Sequence, residues 1–395
     1  MSSIDLRDKV AIVGVGDTNY KELYQTSKES PKNADHLAAR AYREALVDAG
    51  LDKTSVDGLI CSRVSGYREF ATQIGLTHPR VINLYEPSGR MSALAIQTAA
   101  LTIAAGLADT VACVYGNDGR SSHARYGGFA ASSASIEDAG LGATDYTSNL
   151  DQLYGMTSPG AYTALMWQRY RHEYGAPDDA LAPVAIGNHR HAMLNSKAVR
   201  QNPLSMEEYL SARYIAEPLR LYDYCLINDG AVALILTGAE RAKQLRKAPV
   251  YIGATASSAD MTAFQSLSLN YWRESGEDVA SRLYAAADVD RKDIQCLGVY
   301  DCFTPHVLLA LESFGFCDIG ESWEWIRGGR CELGGQLPIN TSGGHTAESY
   351  MQGWNLHAEL VRQLRGECGD RQVKDCDVVQ YITEGPIVSS HILHN

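Results

Sequence analysis

The chain has 395 residues, of which 45% are hydrophobic and 21% charged, so it can bury the cores of two or three typical domains. Its 35 basic and 47 acidic residues give a formal net charge of −12, which argues against nucleic acid and anionic membrane as main partners. The opening MSSIDLRDKVAIVG lacks the pattern of a secretory signal, and no apolar run approaches the roughly 20 residues of a membrane span. We therefore expect a cytoplasmic protein with no membrane span.

The nine cysteines are odd in number, and no two of them have Cys-x-x-Cys spacing. No group of cysteines and histidines has the spacing of a zinc site either. The sequence thus predicts reduced thiols, as in most cytoplasmic proteins, and no metal centre.

The first elements alternate between strands and helices. A buried strand is predicted at 10–13, and its following Gly-x-Gly lacks the third glycine of a dinucleotide-binding loop, because that position is Asn19. Apolar spacing predicts a helix over Ala34 to Ala49, ended by a glycine. The almost uncharged segment 92–105 is typical of a helix buried on all sides, and a buried strand is expected at 109–115.

Residues 117 to about 165 are rich in Gly, Ser and Tyr and have little periodicity. A stretch of that length without regular structure is unusual in a compact domain and often carries function. Helices are predicted over 161–174 and 180–195, followed by a strand at 231–237.

The second half of the chain, from Val250, repeats the plan of the first. Segment 39–56 is similar to 280–294, and Ser88-Gly89 before the first buried helix is echoed by Ser342-Gly343-Gly344 before a second one at 348–364. This order predicts two βαβ-type halves with parallel-rich sheets, related by a pseudo-twofold axis. Both Ser-Gly turns would then meet at one ligand site.

Five short strings resemble those of thiolases, in the branch related to the sterol-carrier-protein thiolases. The resemblance covers nearly the whole chain and rests on Tyr154-Gly-Met-Thr-Ser-Pro, Asn188-His-Arg-His-Ala, Asp229-Gly-Ala-Val-Ala, Asp301-Cys-Phe-Thr-Pro and Leu337-Pro-Ile-Asn-Thr-Ser-Gly-Gly. It implies an α/β thiolase fold with two similar halves in a five-layered α/β/α/β/α arrangement, an acyl-CoA ligand and a homodimeric core. The halves are expected at 1–247, with an inserted loop domain at about 118–215, and at 248–395.

The residues that carry out thiolase chemistry are missing. The family's nucleophilic cysteine falls at Gly89, next to Ser88, and no cysteine lies between Cys61 and Cys113. The family's two catalytic histidines fall at Tyr300 and Tyr350, and its C-terminal Cys-x-Gly string is absent. A serine nucleophile would need an adjacent base, so covalent acyl transfer is not expected.

A tyrosine hydroxyl can donate to an oxyanion or, as a phenolate, take a proton from an alcohol. The pattern is similar to the thiolase-like aldolases that cut the side chain from steroid CoA thioesters. That resemblance implies retro-aldol cleavage of a 17-hydroxy C22 steroid CoA thioester to a 17-keto steroid and propionyl-CoA. It also implies an OB-fold partner of the DUF35 type, supplied with a hydratase subunit, and no cofactor besides the CoA thioester substrate.

The resemblance also assigns roles to single residues. We expect Tyr350 to handle the hydroxyl proton and Tyr300 the enolate end, while His345 either binds the thioester oxygen or caps a turn. Backbone groups of Ser88, Gly89 and Gly344 are expected to form an oxyanion site, since the start of a helix offers N–H groups. Substrate contacts are expected from the following residues: Tyr154, Met156, Arg190, Asn340 and Ser342.

Two other functions remain open from the sequence. One is a subunit that binds acyl-CoA or sterol without catalysis. The other is an acyltransferase that uses a different thiol, for which Cys302 is the candidate.

Overall fold

The computed structural model describes residues 6–86, 88–124, 156, 158–260 and 270–395. Their strands form one nine-stranded sheet in the order β3-β2-β4-β7-β1-β8-β11-β10-β9, and a separate small hairpin, β5-β6. The strands, in chain order, are β1 (Val10–Asp17), β2 (Gly58–Ser62), β3 (Val81–Tyr85), β4 (Thr110–Asp118), β5 (Tyr214–Ala216), β6 (Leu219–Arg220), β7 (Asp229–Gly238), β8 (Val250–Ala259), β9 (Cys296–Val299), β10 (Val378–Thr383) and β11 (Ile387–His394).

Most neighbouring strands of this sheet run antiparallel, which corrects the prediction of parallel-rich sheets. Only β2 with β3, β2 with β4 and β9 with β10 are parallel among the described strands. A run of apolar residues identifies a buried strand but carries no information on its direction. Strand β11 follows β10 after a three-residue connection, too short for the crossover that a parallel neighbour requires.

The helices have the spacing that the sequence predicts, and α2 matches its predicted bounds. Asn33 caps its first turn by accepting from two backbone N–H groups, and Gly50, with φ of +69°, ends it. The helices are α1 (Tyr20–Thr26), α2 (Ala34–Ala49), α3 (Tyr67–Ile74), α4 (Met91–Ala104), α5 (Pro159–Tyr174), α6 (Ala182–Met193), α7 (Met206–Ser211), α8 (Ala239–Ala242), α9 (Asn270–Ala287), α10 (Pro305–Ser313), α11 (Ser322–Trp325) and α12 (Trp354–Leu364).

Helices α4 and α12 form the central layer, because each contacts strands from both halves of the chain. Helix α4 packs on β4 and β7 and also on β8 and β11, while α12 packs on β9 and β10 and also on β1 and β7. Helix α2 covers the outer face of the first half, and α9 covers that of the second. The strands of the first half and those of the second half form the two β layers between these helix layers. The arrangement is therefore the five-layered α/β/α/β/α order that the resemblance implies.

The second central helix begins later than the sequence predicts. Helix α12 starts at Trp354 rather than at residue 348, and the segment Gly344–Glu348 is a π-helical turn. Gln352 and Gly353 adopt positive φ angles of 50° and 89°, which interrupt a right-handed helix. Tyr350 therefore lies in the non-helical connection before α12, and helical geometry does not set the direction of its side chain.

Other predictions of the sequence stay predictions. The boundary at 247/248 falls between α8 and β8, and much of the inserted loop domain lies outside the described residues. Within the part of the chain that the structure describes, no helix is long and apolar enough to cross a membrane.

Candidate active site

Two tyrosines that are 50 residues apart in sequence meet hydroxyl to hydroxyl. Tyr300 follows the last residue of β9, and its backbone N–H donates to the carbonyl of Ile382 on β10 at 2.8 Å. Tyr350 reaches it from the connection before α12. The two phenolic oxygens lie 2.8 Å apart, within the range of a hydrogen bond between hydroxyls. The structure thus brings together the pair that the sequence singles out.

The two tyrosines differ in their exposure. Tyr300 is 4% exposed, whereas Tyr350 is only half-buried. Burial raises the pKa of Tyr300 well above 10, and the neighbouring Tyr350 and Cys302 raise it further. At neutral pH the Tyr300 hydroxyl therefore keeps its proton and can donate it in a hydrogen bond to the Tyr350 oxygen.

His345 packs edge-on against both tyrosine rings. Its ring centroid lies 4.9 Å from that of Tyr300 and 5.3 Å from that of Tyr350, with interplanar angles of 69° and 88°. Its Nε2 accepts from the backbone N–H of Gly353 at 3.0 Å, so a neutral ring carries its proton on Nδ1, 3.0 Å from Oδ1 of Asp301.

His345 is fully buried; its Nε2 is bonded to the Gly353 N–H, while its Nδ1 lies near Asp301 without making a hydrogen bond. Its binding of the thioester oxygen stays a prediction. Contact with both rings makes His345 a residue that orients the tyrosines.

Asp301 connects the His345 turn to helix α6. Its Oδ1 also accepts from the backbone N–H of His345 at 2.9 Å, and its Oδ2 accepts from Nδ2 of Asn188 at 2.7 Å. Asn188 donates to Oγ1 of Thr346 as well, at 2.8 Å. Gly344, expected at an oxyanion site, packs against this group, since a Cβ at its position would overlap Oδ2 of Asp301.

Two buried asparagines, which the sequence does not single out, hold the backbone of Tyr350. Oδ1 of Asn228 accepts from the Tyr350 N–H at 2.9 Å, and its Nδ2 donates to Oγ of Ser349 at 2.6 Å. Nδ2 of Asn117 donates to the carbonyl of Asn228 at 3.0 Å and to that of Tyr350 at 3.3 Å. Asn117 lies at the end of β4 and Asn228 directly before β7. A polar amide at the end of a predicted buried strand is the sequence signal that could have identified both residues.

The start of helix α4 completes the site on the other side of Tyr300. Ser88 is half-buried and Gly89 buried, and they precede Arg90, which caps the helix without a side-chain hydrogen bond. A Cβ at Gly89 would overlap the hydroxyl and ring of Tyr300, so the two residues are in direct contact. The start of α4 thus lies against Tyr300, while the meeting of the two Ser-Gly turns at an oxyanion site stays a prediction.

Three predicted substrate contacts have polar atoms that are already engaged within the protein, and their contact with a substrate stays a prediction. Asn340 exchanges two hydrogen bonds with the backbone of Val299, at 2.8 and 2.9 Å, and so fixes the end of β9. Oγ of Ser342 donates to the buried carboxyl group of Glu348 at 2.6 Å. Arg190 is exposed and pairs with Glu332 rather than facing the tyrosines.

Two further expectations concern the inserted segment. Tyr154 lies outside the described residues, and Met156 is half-buried. Their contact with an acyl group stays a prediction.

Cys302 does not have the properties of a nucleophile. It is 8% exposed, and burial raises the pKa of its thiol to about 12, with Asp301 adding to the rise and Arg90 opposing it. Since the thiolate is the reactive form, almost none is present at neutral pH. Among the described residues, no group of His, Cys, Asp or Glu is arranged to hold a metal ion.

Comparison with known protein families matches both halves of the chain. Residues 10–240 match the family described as thiolase, N-terminal domain, and residues 253–394 match thiolase C-terminal domain-like. The chain is 35% identical over 370 residues to a 17-hydroxy-3-oxo-4-pregnene-20-carboxyl-CoA lyase of Mycobacterium tuberculosis, covering 91% of this chain and 92% of the relative. It is 34% identical over 364 residues to a steroid side-chain-cleaving aldolase of Thermomonospora curvata, covering 90% of each.

Comparison with solved structures also places the chain among thiolase-fold proteins. An Ltp2-ChsH2(DUF35) aldolase matches with a TM-score of 0.85 and 31% identity over 98% of both chains. Human mitochondrial 3-ketoacyl-CoA thiolase, at 16% identity, matches with a TM-score of 0.71 over 99% of this chain and 98% of the other, which supports the fold alone. The chain therefore belongs to the thiolase family, in the branch that contains these two lyases.

Proposed function

We propose that this protein is a carbon–carbon lyase that cleaves a β-hydroxyacyl-CoA thioester by a retro-aldol reaction. The substrate is a 17-hydroxy C22 steroid CoA thioester, and the products are a 17-keto steroid and propionyl-CoA. The observation that carries the proposal is the hydrogen-bonded pair of Tyr300 and Tyr350 beside a glycine at the start of α4. The names of the two lyase relatives support the substrate class.

The reaction needs one proton to leave an oxygen and one to reach a carbon. In the proposal Tyr350, as a phenolate, takes the proton of the substrate hydroxyl, and the hydroxyl oxygen becomes the ketone as the adjacent C–C bond breaks. The electron pair of that bond passes into the thioester as an enolate. A tyrosine hydroxyl then protonates the enolate carbon, so that propionyl-CoA leaves and no atom is gained or lost.

The different environments of the tyrosines support this division of roles. Tyr300 is the buried partner with the raised pKa, so it remains a hydrogen-bond donor and stabilises negative charge on Tyr350. Tyr350 is half-buried, which suits the residue that meets a substrate hydroxyl. Backbone N–H groups at Ser88 and Gly89 are proposed to stabilise the enolate oxygen.

No cofactor is required in this proposal. The thioester itself accepts the electron pair, and the two tyrosines move the protons. The CoA thioester is therefore the substrate, and the reaction involves no net oxidation or reduction.

We also propose that the chain works as a cytoplasmic homodimer in complex with a DUF35-type OB-fold partner. The solved Ltp2-ChsH2(DUF35) aldolase supports such a partner, since its name includes a DUF35 component. Strand β3 supports the homodimer: it lies at one end of the sheet order, and among the described residues no strand pairs with its outer side. Leu84 on this strand is 47% exposed. An unpaired edge of this kind is a template for pairing with a second copy.

Product analysis tests the function. The purified chain, with and without a DUF35-type partner, is incubated with the 17-hydroxy C22 steroid CoA thioester, and the products are identified by mass spectrometry. We expect equal amounts of 17-keto steroid and propionyl-CoA, and neither product from a Tyr300→Phe/Tyr350→Phe variant. Absence of both products from the native chain under both conditions would contradict the assignment, and binding without products would indicate a non-catalytic subunit.

A further inference from the structure

The phenol of Tyr300 occupies the space that a side chain at position 89 would need. A Cβ built on Gly89 would overlap the hydroxyl oxygen, Cζ and Cε2 of Tyr300, far inside the roughly 3.5–4.0 Å of ordinary van der Waals contact. These are atoms of a rigid aromatic ring rather than the end of a flexible side chain. Any residue other than glycine at position 89 therefore competes with the phenol of Tyr300 for one space.

Tyr300 cannot move aside without losing its contacts. Its hydroxyl lies 2.8 Å from that of Tyr350, its ring meets the ring of His345, and its backbone is bonded to β10. Only 4% of its surface is exposed. A new side chain at Gly89 would thus displace the phenol from Tyr350.

Gly89 is also fixed from its own side. Oγ of Ser92 donates to the Gly89 carbonyl at 3.3 Å, and Ser92 in turn lies 3.2 Å from both the Tyr381 hydroxyl and Nε2 of His357. All three of these side chains are buried. The start of helix α4 is therefore supported by a polar layer that opposes a backbone shift away from Tyr300.

We propose that Gly89 is a positioning residue that determines which reaction this site performs. Its missing side chain admits the phenol of Tyr300 to the start of α4, so a nucleophilic side chain at position 89 and the tyrosine pair exclude one another. The inference rests on the proposed lyase function and adds to it a steric requirement outside the tyrosines themselves.

The same contact has an electrostatic consequence. Helix α4 has 14 residues, no side-chain hydrogen bond at its cap and no acidic residue in its first turn that would offset the partial positive charge of its N-terminus. Gly89 lets the Tyr300 hydroxyl approach this end of the helix. Negative charge that forms on the tyrosine pair during the reaction is thereby stabilised.

Gly89→Ala tests the inference in the full-length protein with its partner. We expect kcat for the steroid CoA thioester to fall by about 100-fold, as for a catalytic group displaced by about 1 Å, with a smaller change in KM. Gly238→Ala is the matched control, because its Cβ would meet only Cγ2 of Ile103 at 4.0 Å and should leave kcat unchanged. Full activity of Gly89→Ala would overturn the inference.

A second measurement does not depend on the substrate. In the native background we expect Gly89→Ala to lower the melting temperature, since an overpacked core is strained. In a Tyr300→Ala background, where the ring is absent, the same substitution should cost little. Equal destabilisation in both backgrounds would overturn the inference.

The two failures can be told apart. If the native chain cleaves no thioester, the proposed function fails, while the melting temperatures still decide whether position 89 and Tyr300 compete for space. If Gly89→Ala does not fold, the inference requires that the added Tyr300→Ala restores folding, and a double variant that also fails to fold overturns it.

Discussion

The hydroxyl oxygens of Tyr300 and Tyr350 lie 2.8 Å apart, but Tyr300 is buried and Tyr350 is partly exposed. In the proposed reaction the substrate hydroxyl meets the half-buried Tyr350, and Tyr300 lies behind it. The buried tyrosine can then stabilise a phenolate on the outer one without contacting the substrate hydroxyl. The difference in exposure supports the proposed division of roles between two identical side chains.

Removal of either hydroxyl should stop cleavage. We expect Tyr350→Phe to lower kcat by about 10³-fold or more, because it removes the group that takes the substrate proton. Tyr300→Phe should lower kcat by a comparable factor, since it removes the donor that stabilises the Tyr350 oxygen. Steady-state kinetics with product detection measures both effects.

Tyr284→Phe is the control for this pair. Tyr284 is also buried, and its hydroxyl donates to Oε1 of Gln380 at 2.9 Å, so the variant loses a buried hydrogen bond outside the site. Its kcat should stay near that of the native chain. Normal turnover in either of the two site variants would remove that tyrosine from the mechanism.

His345 should affect kcat rather than substrate binding. His345→Phe keeps an aromatic ring against both tyrosines but removes the acceptor for the Gly353 N–H and the partner of Asp301. We expect kcat to fall about 10- to 100-fold, as the tyrosines lose their fixed orientation, with KM little changed. A large rise in KM at constant kcat would instead indicate direct contact with the thioester.

His191→Phe is a matched control for that variant. Both ring nitrogens of His191 also face backbone groups, the carbonyl of Asn340 and the N–H of Leu333, but the ring does not touch the tyrosine pair. A comparable loss of stability with unchanged kcat is expected. The comparison separates orientation of the tyrosines from general support of the fold.

The sequence predicts the reacting pair but not what surrounds it. Tyr300 and Tyr350 could be identified because the strings on both sides of each align with the thiolase pattern. Two roles for His345 are compatible with the sequence, and the bond from the Gly353 N–H to its Nε2 follows from a turn that the sequence does not predict. Likewise, the sequence does not reveal that the amide of Asn340 holds the backbone of Val299.

Among the helices and strands, those that depend on local sequence signals are predicted correctly, and features that depend on the path of the chain are not. Helix α2 follows from apolar spacing and its two caps, all of which are local. The direction of β7 against β1 and β4 depends on where the chain returns after the inserted segment, and composition does not encode that path. Helix α12 begins later than the sequence predicts, because positive φ angles at Gln352 and Gly353 leave no pattern of hydrophobic residues.

Asn228 should be needed to place Tyr350. Asn228→Ala removes the acceptor for the Tyr350 N–H and the donor to Ser349, so we expect kcat to fall about 10- to 100-fold with the tyrosines intact. Asn228→Asp keeps the acceptor and should recover part of the activity. Equal activity of the two variants would show that the bond to the Tyr350 backbone does not control turnover.

Catalysis should not depend on a thiol. Cys302 lies beside Tyr300, and burial raises its pKa to about 12, so the Cys302→Ser variant should keep kcat within about threefold of the native value. Intact-mass measurement during turnover should detect no acyl group on the protein. An acylated chain that disappears in Cys302→Ser would instead support an acyltransferase.

The contribution of Glu348 to the stability of the protein should fall as the pH rises from about 4.5 to about 8. Burial raises the pKa of this carboxyl from 4.5 to about 8, and the nearby Glu359 adds to the rise, while hydrogen bonds from Ser342 and Asn355 oppose it. Between these pH values Glu348 keeps a proton in the native chain that it has released in the unfolded chain, so its contribution to the free energy of unfolding decreases with pH and levels off above the native pKa.

Urea denaturation from pH 5 to 9 measures this slope for the native chain and for Glu348→Gln, which cannot ionise. Relative to Glu348→Gln, the native chain should lose free energy of unfolding as the pH rises from 5 to 8, and Glu207→Gln, on the exposed side of α7, should keep the native slope. Since Glu348 accepts hydrogen bonds from Asn195, Ser342 and Asn355, the variant is also expected to lose stability at every pH. An unchanged slope in Glu348→Gln would show that Glu348 is ionised in the native protein throughout this range.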